Sequence, residues 1–565
     1  MSSEAGGGGI VRDIDRVVLI GFSGSGKTTV AHLLAERLGW EAGDSDVEIE
    51  RHFGTTISAV FRDHGETAFR SSERAILRRL LIRDRIVVAT GGGAAIEPAA
   101  WSDETLGREG TLVVALDSSP ETSLSRLQRQ AEAEGEAVER PLLAAGDPLA
   151  RIRELKSARQ TAYDGAHLTI SSDGISAEGI ADELAAVMRV ADGKPLQVRL
   201  DAASGASDIH VAPGVIAEIG VRVRDRWPRA RRAWIVSDGN VGPLHAETAR
   251  RWLGEAGVPS TVFSVTPGEG SKSLGTAGEL YDWLLGNGVE RGDVIVALGG
   301  GVVGDLAGFV AATVLRGIGL VQIPTSLLAA VDSSVGGKTG INHAAGKNLI
   351  GAFFQPPVVL VDTDLLKTMP PRELRSGWAE IVKHAIIQRS TPGGERNDLA
   401  NALTRNAARL QRLEEPVTAW LVWRNIGLKA AVVAADERET GIRAYLNFGH
   451  TLGHAIEAAD YKLLHGEAVA LGMRAAGEIG IACGTCGRQE VDKMKSLIDQ
   501  FDLPSVAALD EARILVRLGS DKKRVAGRQK YVLPLDGGGV VMRDDVSDEV
   551  VSQALATVDA GSVTG

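Results

Sequence analysis

The sequence predicts an α/β protein with several compact units, and three observations support this fold class. A buried strand, a glycine-rich turn and a helix follow one another in two separate regions, around residues 17–38 and 294–315. The chain has 565 residues, which suggests about three to four units, because one hydrophobic core rarely serves so long a chain. Its 68 glycines gather beside apolar runs, as they do in turns that bind phosphate groups.

Composition and charge narrow the class of protein. With 44% hydrophobic and 24% charged residues, the chain has the composition of a globular protein. Its net charge of −11 gives no general attraction to nucleic acid or to anionic membranes, so we expect neither as a partner. Uncharged apolar stretches such as 306–315 are too short to cross a bilayer, and residues 1–14 lack an apolar secretion signal. We therefore expect a cytoplasmic protein with a disordered lead at residues 1–14.

The first strand–turn–helix region carries a phosphate-binding loop. Val17–Ile20 is an apolar run, and the helix after the turn has Val30 and Leu34 on one face. Between them, the pattern G-x-x-x-x-G-K-[ST] places Lys27 where it would bridge terminal phosphates and Thr28 where it would bind Mg²⁺. The residues predicted to hold the nucleotide are Gly24, Ser25, Gly26, Lys27, Thr28 and Thr29. This pattern indicates nucleotide binding but does not identify the phosphate acceptor.

Charged residues after the loop bear on the acceptor. Asp44 and Asp46 stand two apart after a weakly apolar stretch, which would point both side chains the same way at a strand end. A buried strand in IVVATGGG leads into Gly91–Gly93. Three arginines lie in the motifs GETAFR, ERPLL and ARQTAY: Arg70, Arg140 and Arg159. Taken singly, each arginine is more often a solvated surface charge. Together, the loop and these motifs resemble shikimate kinase across residues 15–190.

This resemblance implies a P-loop fold like that of nucleoside monophosphate kinases, and phosphorylation of shikimate to shikimate 3-phosphate by ATP with Mg²⁺. Asp46 would position the hydroxyl that is phosphorylated, and Asp44 would support Mg²⁺ through water. Arg70 and Arg159 would clamp the shikimate carboxylate, because guanidinium forks suit a planar carboxylate. Arg140 would neutralise charge on the transferred phosphoryl group. The resemblance thus assigns catalysis to Asp46, Lys27 and Arg140, and shikimate binding to Asp46, Arg70, Gly92 and Arg159.

A helix predicted at 176–190 would close this region, since Ile180, Leu184 and Met188 recur on one face. The sequence ADGKP then begins a linker, which we place at residues 191–198. Each side of the linker carries a complete set of motifs, so we expect the two parts to function independently.

The second region begins another nucleotide-binding fold. RAWIVSDGNVG and DVIVALGGGVVGD each join an apolar strand to a glycine turn, the general arrangement of dinucleotide-binding folds. GGGVVGD departs from the G-x-G-x-x-G fingerprint, so this signal is weak when taken alone. However, PGEGSK precedes it, and VDSSVGGKT, GKNLIGAF, AEIVK and LNFGHTLGHAIE follow in order. This series resembles 3-dehydroquinate synthase over about residues 197–560.

The second resemblance implies an NAD-binding α/β half at 199–372 and a mostly helical, metal-binding half at 373–565, with the active site between them. The implied reaction is cyclisation of DAHP (3-deoxy-D-arabino-heptulosonate 7-phosphate) to 3-dehydroquinate with release of phosphate, using NAD and zinc or cobalt. The positions that match NAD-binding residues are Asp238, Glu269, Lys272, Gly301, Val302, Val303, Gly304, Asp305, Thr325, Ser326, Lys338 and Lys347.

The implied DAHP-binding residues divide by the group of the substrate that they would hold. Those for the phosphate are Arg316, Lys338, Asn348 and Asn447. Lys429 and Arg443 would hold the carboxylate and Lys383 a ring hydroxyl, while Lys522 or Lys523 would close the site. Arg316 would come from a neighbouring subunit, so a homodimer through this part of the chain is also implied.

The metal ligands are the one point on which spacing and resemblance disagree. His450 and His454 are four apart, so they would share one helix face, either as a packing pair or as a chelating pair. The resemblance instead assigns the metal to Glu380, His450 and His465, and leaves His454 for proton transfer beside the catalytic residues Lys383 and Asn447. His384, four residues after Glu380, competes on spacing alone.

Two other functions fit parts of the pattern. The first is a different small-molecule kinase, similar to gluconate kinase, joined to another sugar phosphate cyclase. Asp46 with Arg70 and Arg159 favours a carboxylated polyol over a phosphorylated sugar as the kinase substrate, and Lys429 and Arg443 likewise favour a carboxylated cyclase substrate. The second is a nucleotide-sensing module that has lost catalysis, which the retention of the charged residues disfavours.

The two cysteines of the chain, Cys483 and Cys486, form a single CxxC pair at a predicted helix end. One such pair is too small for a four-thiolate zinc site. We therefore expect two reduced thiols without a catalytic role.

Overall fold

The computed structural model describes residues 14–134, 147–459, 462–520 and 529–563. The chain forms two compact units. The first runs to Lys194 and also includes Thr404–Val417, and the second comprises Pro195–Leu403 and Thr418–Gly565. Nearly all of the predicted disordered lead lies outside the described residues, as do Arg140, Lys522 and Lys523.

The first unit is built on a parallel sheet of five strands in the order β2-β3-β1-β4-β5. The strands are β1 Arg16–Ile20, β2 Glu41–Asp44, β3 Ile86–Ala89, β4 Thr111–Asp117 and β5 Leu168–Ser171. Its helices are α1 Lys27–Leu38, α2 Ser45–Phe53, α3 Ile57–Leu81, α4 Pro120–Glu134, α5 Pro148–Asp164 and α6 Ala177–Ala191. The strands β1, β3 and β5 are buried throughout, as expected for parallel strands covered on both faces.

Local sequence explains where the helices next to the site begin and end. Gly26 precedes α1 with φ 92°, a left-handed conformation that favours glycine, and Gly39 ends the helix in the same region. Gly65, with φ 77°, breaks the regular backbone inside α3, five residues before Arg70. The predicted closing helix is confirmed as α6, with Ile180, Leu184, Val187 and Met188 buried.

The second unit contains a sheet of seven strands in the order β6-β7-β14-β11-β10-β8-β9, parallel except for the β6–β7 pair. Its strands are β6 Leu196–Ala202, β7 Gly205–Ala212, β8 Ala233–Asp238, β9 Ser260–Val265, β10 Val294–Gly299, β11 Gly319–Pro324 and β14 Val358–Asp362. A hairpin of β12 Lys338–His343 and β13 Gly346–Phe353 precedes β14. The accompanying helices are α7 Ile219–Arg226, α8 Gly242–Glu255, α9 Leu274–Gly286, α10 Gly301–Thr313 and α11 Thr363–Leu366.

Helices dominate the rest of the chain. They are α12 Pro371–Ile387, α13 Leu399–Gln411, α14 Val417–Ala435, α15 His450–Ala459, α16 His465–Ala482, α17 Arg488–Asp499, α18 Glu511–Ser520, α19 Asp548–Ala556 and α20 Ala560–Val563. One hairpin, β15 Tyr531–Pro534 with β16 Val540–Arg543, interrupts them. Gly472 lets α16 approach α15 closely, because a Cβ at Gly472 would lie 2.0 Å from the Gly449 carbonyl oxygen. This close packing brings the histidines of the two helices together.

Residues 192–195 connect α6 to β6, within the linker predicted at 191–198. Helix α6 ends at Ala191 and β6 begins at Leu196. Within the described residues, no helix combines the length and the apolar character needed to cross a membrane.

Candidate active sites

The loop between β1 and α1 has the arrangement that the phosphate-binding pattern predicts. Lys27 Nζ donates to the carbonyl oxygens of Gly21 and Phe22, each at 2.9 Å. Burial lowers the pKa of Lys27 to about 8, although the carboxylates of Asp46 and Asp44 oppose this shift. A cavity of about 330 Å³ beside the loop is lined by Gly24, Ser25, Gly26, Thr29, Arg126 and Ile175. The cavity and the loop together can hold a nucleotide with its phosphates against α1.

The two predicted aspartates lie at the start of α2. Asp44 ends β2 and caps α2, because its Oδ1 accepts from the Asp46 N–H at 2.9 Å. Its Oδ2 accepts from the Thr28 hydroxyl at 2.7 Å, so two oxygen ligands suited to Mg²⁺ are adjacent. Asp46 is not at a strand end as expected, since it lies in the first turn of the helix.

Asp46 is half-buried, and one of its carboxylate oxygens is enclosed. Its Oδ1 has no hydrogen-bond partner within the described part of the chain. Burial, and then the neighbouring Asp44 carboxylate, raise the pKa of Asp46 to about 7. A carboxylate with such a pKa can accept a proton from a bound hydroxyl near neutral pH.

Arg70 and Arg159 converge on the glycine turn after β3. Arg159 Nη1 donates to the Gly92 carbonyl at 3.1 Å, and a Cβ at Gly93 would lie 2.4 Å from Arg70 Nη2. Arg70 also pairs with the buried Glu73 at 2.6 Å. The Arg159 and Arg70 guanidinium groups thus lie against the adjacent glycines Gly92 and Gly93, where the sequence predicts a carboxylate clamp.

Sequence reasoning missed Arg126 at the nucleotide cavity. Its Nη1 donates to the Gly24 and Ser25 carbonyl oxygens at 3.3 and 3.2 Å. Arg126 lies in α4, the helix after β4, and β4 neighbours β1 in the sheet. The available signal was a basic residue in the first half of the helix that follows β4.

In the second unit, Glu380, His450 and His465 form a compact group. His450 Nε2 and His465 Nε2 lie 3.3 and 3.6 Å from Glu380 Oε1. This carboxylate oxygen is buried and has no hydrogen-bond partner among the residues described. Burial alone would raise the pKa of Glu380, but Lys383 and then His450 outweigh it and hold that pKa well below its usual range. One carboxylate and two imidazole nitrogens thus face one another, which fits Zn²⁺ or Co²⁺.

The other ring nitrogens of this group are held by neighbours. His450 Nδ1 lies 3.1 Å from the Phe448 carbonyl oxygen, and His465 Nδ1 lies 2.9 Å from Glu457 Oε2. Such contacts fix the ring orientation and leave Nε2 for a metal. Sequence reasoning missed Glu457, although it lies seven residues after His450 and hence on the same helix face.

His454 and His384 are the competing candidates. His454 is exposed on α15, its ring centroid is 5.1 Å from that of His450, and ring nitrogens of His450, His454 and His465 lie within 4.8 Å of one another. A three-histidine set is therefore also geometrically possible, but it would leave the buried Glu380 Oε1 without a partner. His384 is buried, its Nδ1 lies 2.5 Å from Asn425 Oδ1, and burial lowers its pKa to about 4.

Four of the predicted substrate cations of the synthase contact an acidic or carbonyl group: Lys338, Lys383, Lys429 and Arg443. Lys383 pairs with Glu380, Lys338 pairs with Glu439, and Lys429 pairs with Asp332 at 2.6 Å. Asn447 Nδ2 also donates to Glu439, at 2.6 Å. Glu439 therefore contacts two predicted phosphate ligands, Lys338 and Asn447, and sequence reasoning missed this glutamate. Arg443 donates to the Glu437 and Gly336 carbonyl oxygens, Asn348 has φ 55°, and Arg316 is exposed.

Several of the predicted NAD-binding residues lie in or contact the turn between β10 and α10. Lys272 Nζ pairs with Asp305 Oδ2 at 2.6 Å, and burial raises the pKa of Asp305 while Lys272 opposes it. Gly301, Val302, Val303 and Gly304 form the first turn of α10, whose N–H groups suit a pyrophosphate. Other predicted positions form hydrogen bonds or ion pairs within the second unit. These pairs are Asp238 with Val241, Glu269 with Asn342, Thr325 with Gly299, Ser326 with Ala329, and Lys347 with Glu457.

Comparisons with known proteins match both regions. The family described as shikimate kinase matches residues 23–189, and those described as 3-dehydroquinate synthase N-terminal and C-terminal match 262–376 and 377–524. A 3-dehydroquinate synthase of Symbiobacterium thermophilum is 46% identical over 353 residues, covering 61% of this chain and 96% of the relative. That of Nostoc punctiforme is 40% identical, covering 62% and 95%.

Solved structures resemble the second region. ValA, a 2-epi-5-epi-valiolone synthase of Streptomyces hygroscopicus with NAD⁺ and Zn²⁺ bound, is 27% identical with a TM-score of 0.57, covering 62% of this chain and 96% of that one. A 2-deoxy-scyllo-inosose synthase complexed with carbaglucose-6-phosphate, NAD⁺ and Co²⁺ is 25% identical with a TM-score of 0.54, covering 64% and 99%.

Proposed function

Because the chain belongs to the 3-dehydroquinate synthase family and carries a shikimate kinase domain, we propose specific residue roles for the two reactions of this bifunctional shikimate-pathway enzyme. One reaction transfers a phosphoryl group from ATP to shikimate, giving shikimate 3-phosphate. The other converts DAHP to 3-dehydroquinate and releases phosphate. The convergence of Arg70 and Arg159 on the adjacent glycines Gly93 and Gly92 carries the kinase assignment. The buried Glu380 oxygen facing two histidines carries the synthase assignment.

In the kinase, the chain binds and orients two anionic substrates. Lys27 and the loop N–H groups hold the phosphates of ATP, and Thr28 with Asp44 holds Mg²⁺. Arg70 and Arg159 hold the shikimate carboxylate, which places a hydroxyl beside Asp46. Asp46 accepts the hydroxyl proton, a role that its pKa of about 7 suits. Arg140 remains proposed as the residue that neutralises charge on the transferred group.

In the synthase, Glu380, His450 and His465 hold the metal, and the residues around α10 hold NAD. When bound, NAD supplies a hydride acceptor and the metal a Lewis acid for the hydroxyl that is oxidised. Lys429 and Arg443 bind the DAHP carboxylate, and Lys383 orients a ring hydroxyl. His454 and Asn447 are proposed to move or stabilise protons during loss of phosphate, and His454 is exposed beside the metal group.

Sequence identity to known enzymes disfavours the alternative that the second region is another sugar phosphate cyclase. This chain is 46% identical to a 3-dehydroquinate synthase but 25–27% identical to the two other cyclases. The basic pair Lys429 and Arg443 further supports a carboxylated substrate. A coupled assay of the purified chain for phosphate release from DAHP and for shikimate-dependent ADP formation tests both activities. Phosphate release from another sugar phosphate but none from DAHP would favour the alternative.

Further parts of the assignment are proposals. We propose a homodimer through the synthase part, with Arg316 reaching the partner's phosphate site, and a cytoplasmic location. We also propose domain limits of 15–190, 199–372 and 373–565. Light scattering tests the dimer, cell fractionation tests the location, and fragment expression tests the domain limits.

A further inference from the structure

The segment Thr404–Val417 belongs to the compact unit of the kinase domain, although the kinase family match ends at residue 189. It comprises the end of α13 and the turn before α14. The matched C-terminal synthase region, 377–524, includes this segment in the sequence. Neither resemblance gives its residues a role in phosphoryl transfer.

The side-chain amide of Asn406 hydrogen-bonds to the outer edge of the kinase sheet. The Thr169 N–H donates to Asn406 Oδ1 at 3.0 Å, and Asn406 Nδ2 donates to the Thr169 carbonyl at 2.9 Å. Thr169 lies in β5, the last strand of the sheet, and Asn406 is 0% exposed. The amide therefore satisfies two backbone groups that a further strand would otherwise pair with.

Arg409 caps the helix that carries the shikimate clamp. Its Nη2 donates to the Asp164 carbonyl at 2.6 Å and also to that of Ala166. Asp164 is the last residue of α5, where carbonyl groups lack partners within the helix. The same helix presents Arg159 and Tyr163, both of which donate to the Gly92 carbonyl. The position of Arg159 thus depends on how the end of α5 is held.

Arg405 makes a third contact that converges on α5. It pairs with Asp117 at 2.5 Å, and Asp117 pairs with Lys156 at 2.7 Å. Lys156 lies in α5, with its Nζ 6.0 Å from the ring centroid of Phe22 in the phosphate-binding loop. One short segment therefore contacts β5, the end of β4 and the end of α5.

We propose that Asn406 and Arg409 are positioning residues of the shikimate kinase. They hold β5 and the end of α5 so that Arg159 meets the shikimate carboxylate at the Gly92 turn. This inference rests on the proposed role of Arg159. It also means that a fragment ending near Gly193 lacks two residues that its kinase site uses.

Substitutions in the full-length chain test the proposal. Arg409→Ala and Asn406→Ala should each raise the KM for shikimate roughly tenfold, with kcat and the KM for ATP little changed, as loss of one or two hydrogen bonds implies. Arg409→Lys should recover part of this loss. Arg412→Ala is the matched control, because Arg412 lies in the same segment but is exposed and pairs with Glu414. Synthase activity should stay at the wild-type level throughout.

Hydrogen exchange provides a readout that is independent of catalysis. In Asn406→Ala, the peptide that spans β5 should exchange roughly tenfold faster than in the wild type, since the Thr169 amide loses its acceptor. Should Asn406→Ala not fold, Arg409→Ala carries the test, because it removes a helix cap and no buried amide.

Three results would overturn the proposal: an unchanged KM for shikimate in both variants, wild-type exchange of β5 in Asn406→Ala, or an equal rise of KM in Arg412→Ala. Arg159→Lys, assayed in parallel, separates failure of the underlying assignment. If it leaves the KM for shikimate unchanged, the role of Arg159 is wrong, whereas exchange of β5 still reports on Asn406.

Discussion

Replacing the three histidines of α15 and α16 one at a time separates the two possible metal sites. If Glu380, His450 and His465 are the ligands, His450→Ala and His465→Ala each leave two ligands of three. Structural zinc sites with four ligands bind with about 10–16 kcal/mol, or roughly 3 kcal/mol per ligand, so each substitution should weaken zinc binding about a hundredfold or more. His454→Ala should keep about one equivalent of zinc.

The structure supports this difference. Glu380 Oε1 lies 3.3 Å from His450 Nε2 and 3.6 Å from His465 Nε2, and as a buried oxygen it needs a partner. The His454→Ala variant should instead lack a group that transfers protons, and such a loss typically slows turnover by about 10²–10⁴-fold.

Metal content by mass spectrometry of the purified variants, with phosphate release from DAHP as the activity assay, decides between the sites. The circular dichroism spectrum of each variant serves as the folding control for the second unit, and shikimate kinase activity as the control for the first unit. A His454→Ala protein that is zinc-free but folded by this measure would refute the assignment of Glu380.

Three further predictions concern charge and shape at the two sites. Arg70→Lys should raise the KM for shikimate about tenfold or more, with the KM for ATP little changed, because lysine keeps the charge but loses the planar fork. An equal loss of ATP affinity would instead place Arg70 at the nucleotide. Gly93→Ala should have the same selective effect, since its Cβ would displace the Arg70 guanidinium 2.4 Å away, and a wild-type KM for shikimate would contradict the observed packing. Burial lowers the pKa of Lys429 to about 8 while Asp332 opposes this, so Lys429 loses its charge as pH rises through about 8 and synthase kcat/KM should fall there. Lys429→Arg should abolish that fall, because guanidinium stays protonated, and a pH profile unchanged by this substitution would exclude Lys429 as its cause.

The elements that sequence predicted well are those fixed by contiguous residues. The strand β1, the loop and α1 follow from an apolar run and from glycines at set spacing, and Gly26 has the positive φ that the loop requires. The helix pair that carries His450 and His465 was likewise visible, with a break before His465. In both cases the signal lies within one turn or one strand, where local sterics dominate.

Asp46 shows where a local pattern misleads. Its spacing from Asp44 suits a strand, in which alternate residues share a face, but Asp44 instead caps a helix that begins at Ser45. Aspartate is a preferred capping residue, so the competing signal was present in the sequence. Capping prevailed because the preceding stretch is too weakly apolar to continue as a buried strand.

Asn406 shows what no local pattern can reveal. Its partner Thr169 is 237 residues away in sequence, and an asparagine inside a helix carries no periodic or motif signal. The contact depends on the open edge of β5, which exists only once the sheet has formed. Pairing of this kind becomes visible only in three dimensions.

The discontinuity of the first unit has a consequence while the protein is being made. Translation must add the 223 residues 195–417 after Lys194 before the whole segment Thr404–Val417 is available. This takes roughly 10–45 s at about 5–20 residues per second. During that interval the edge of β5 lacks its cover, and an uncovered strand edge is a template for pairing with other nascent chains. Ribosome pausing between these points would prolong the exposure, so the yield of soluble enzyme should depend on codon choice within the synthase part of the gene.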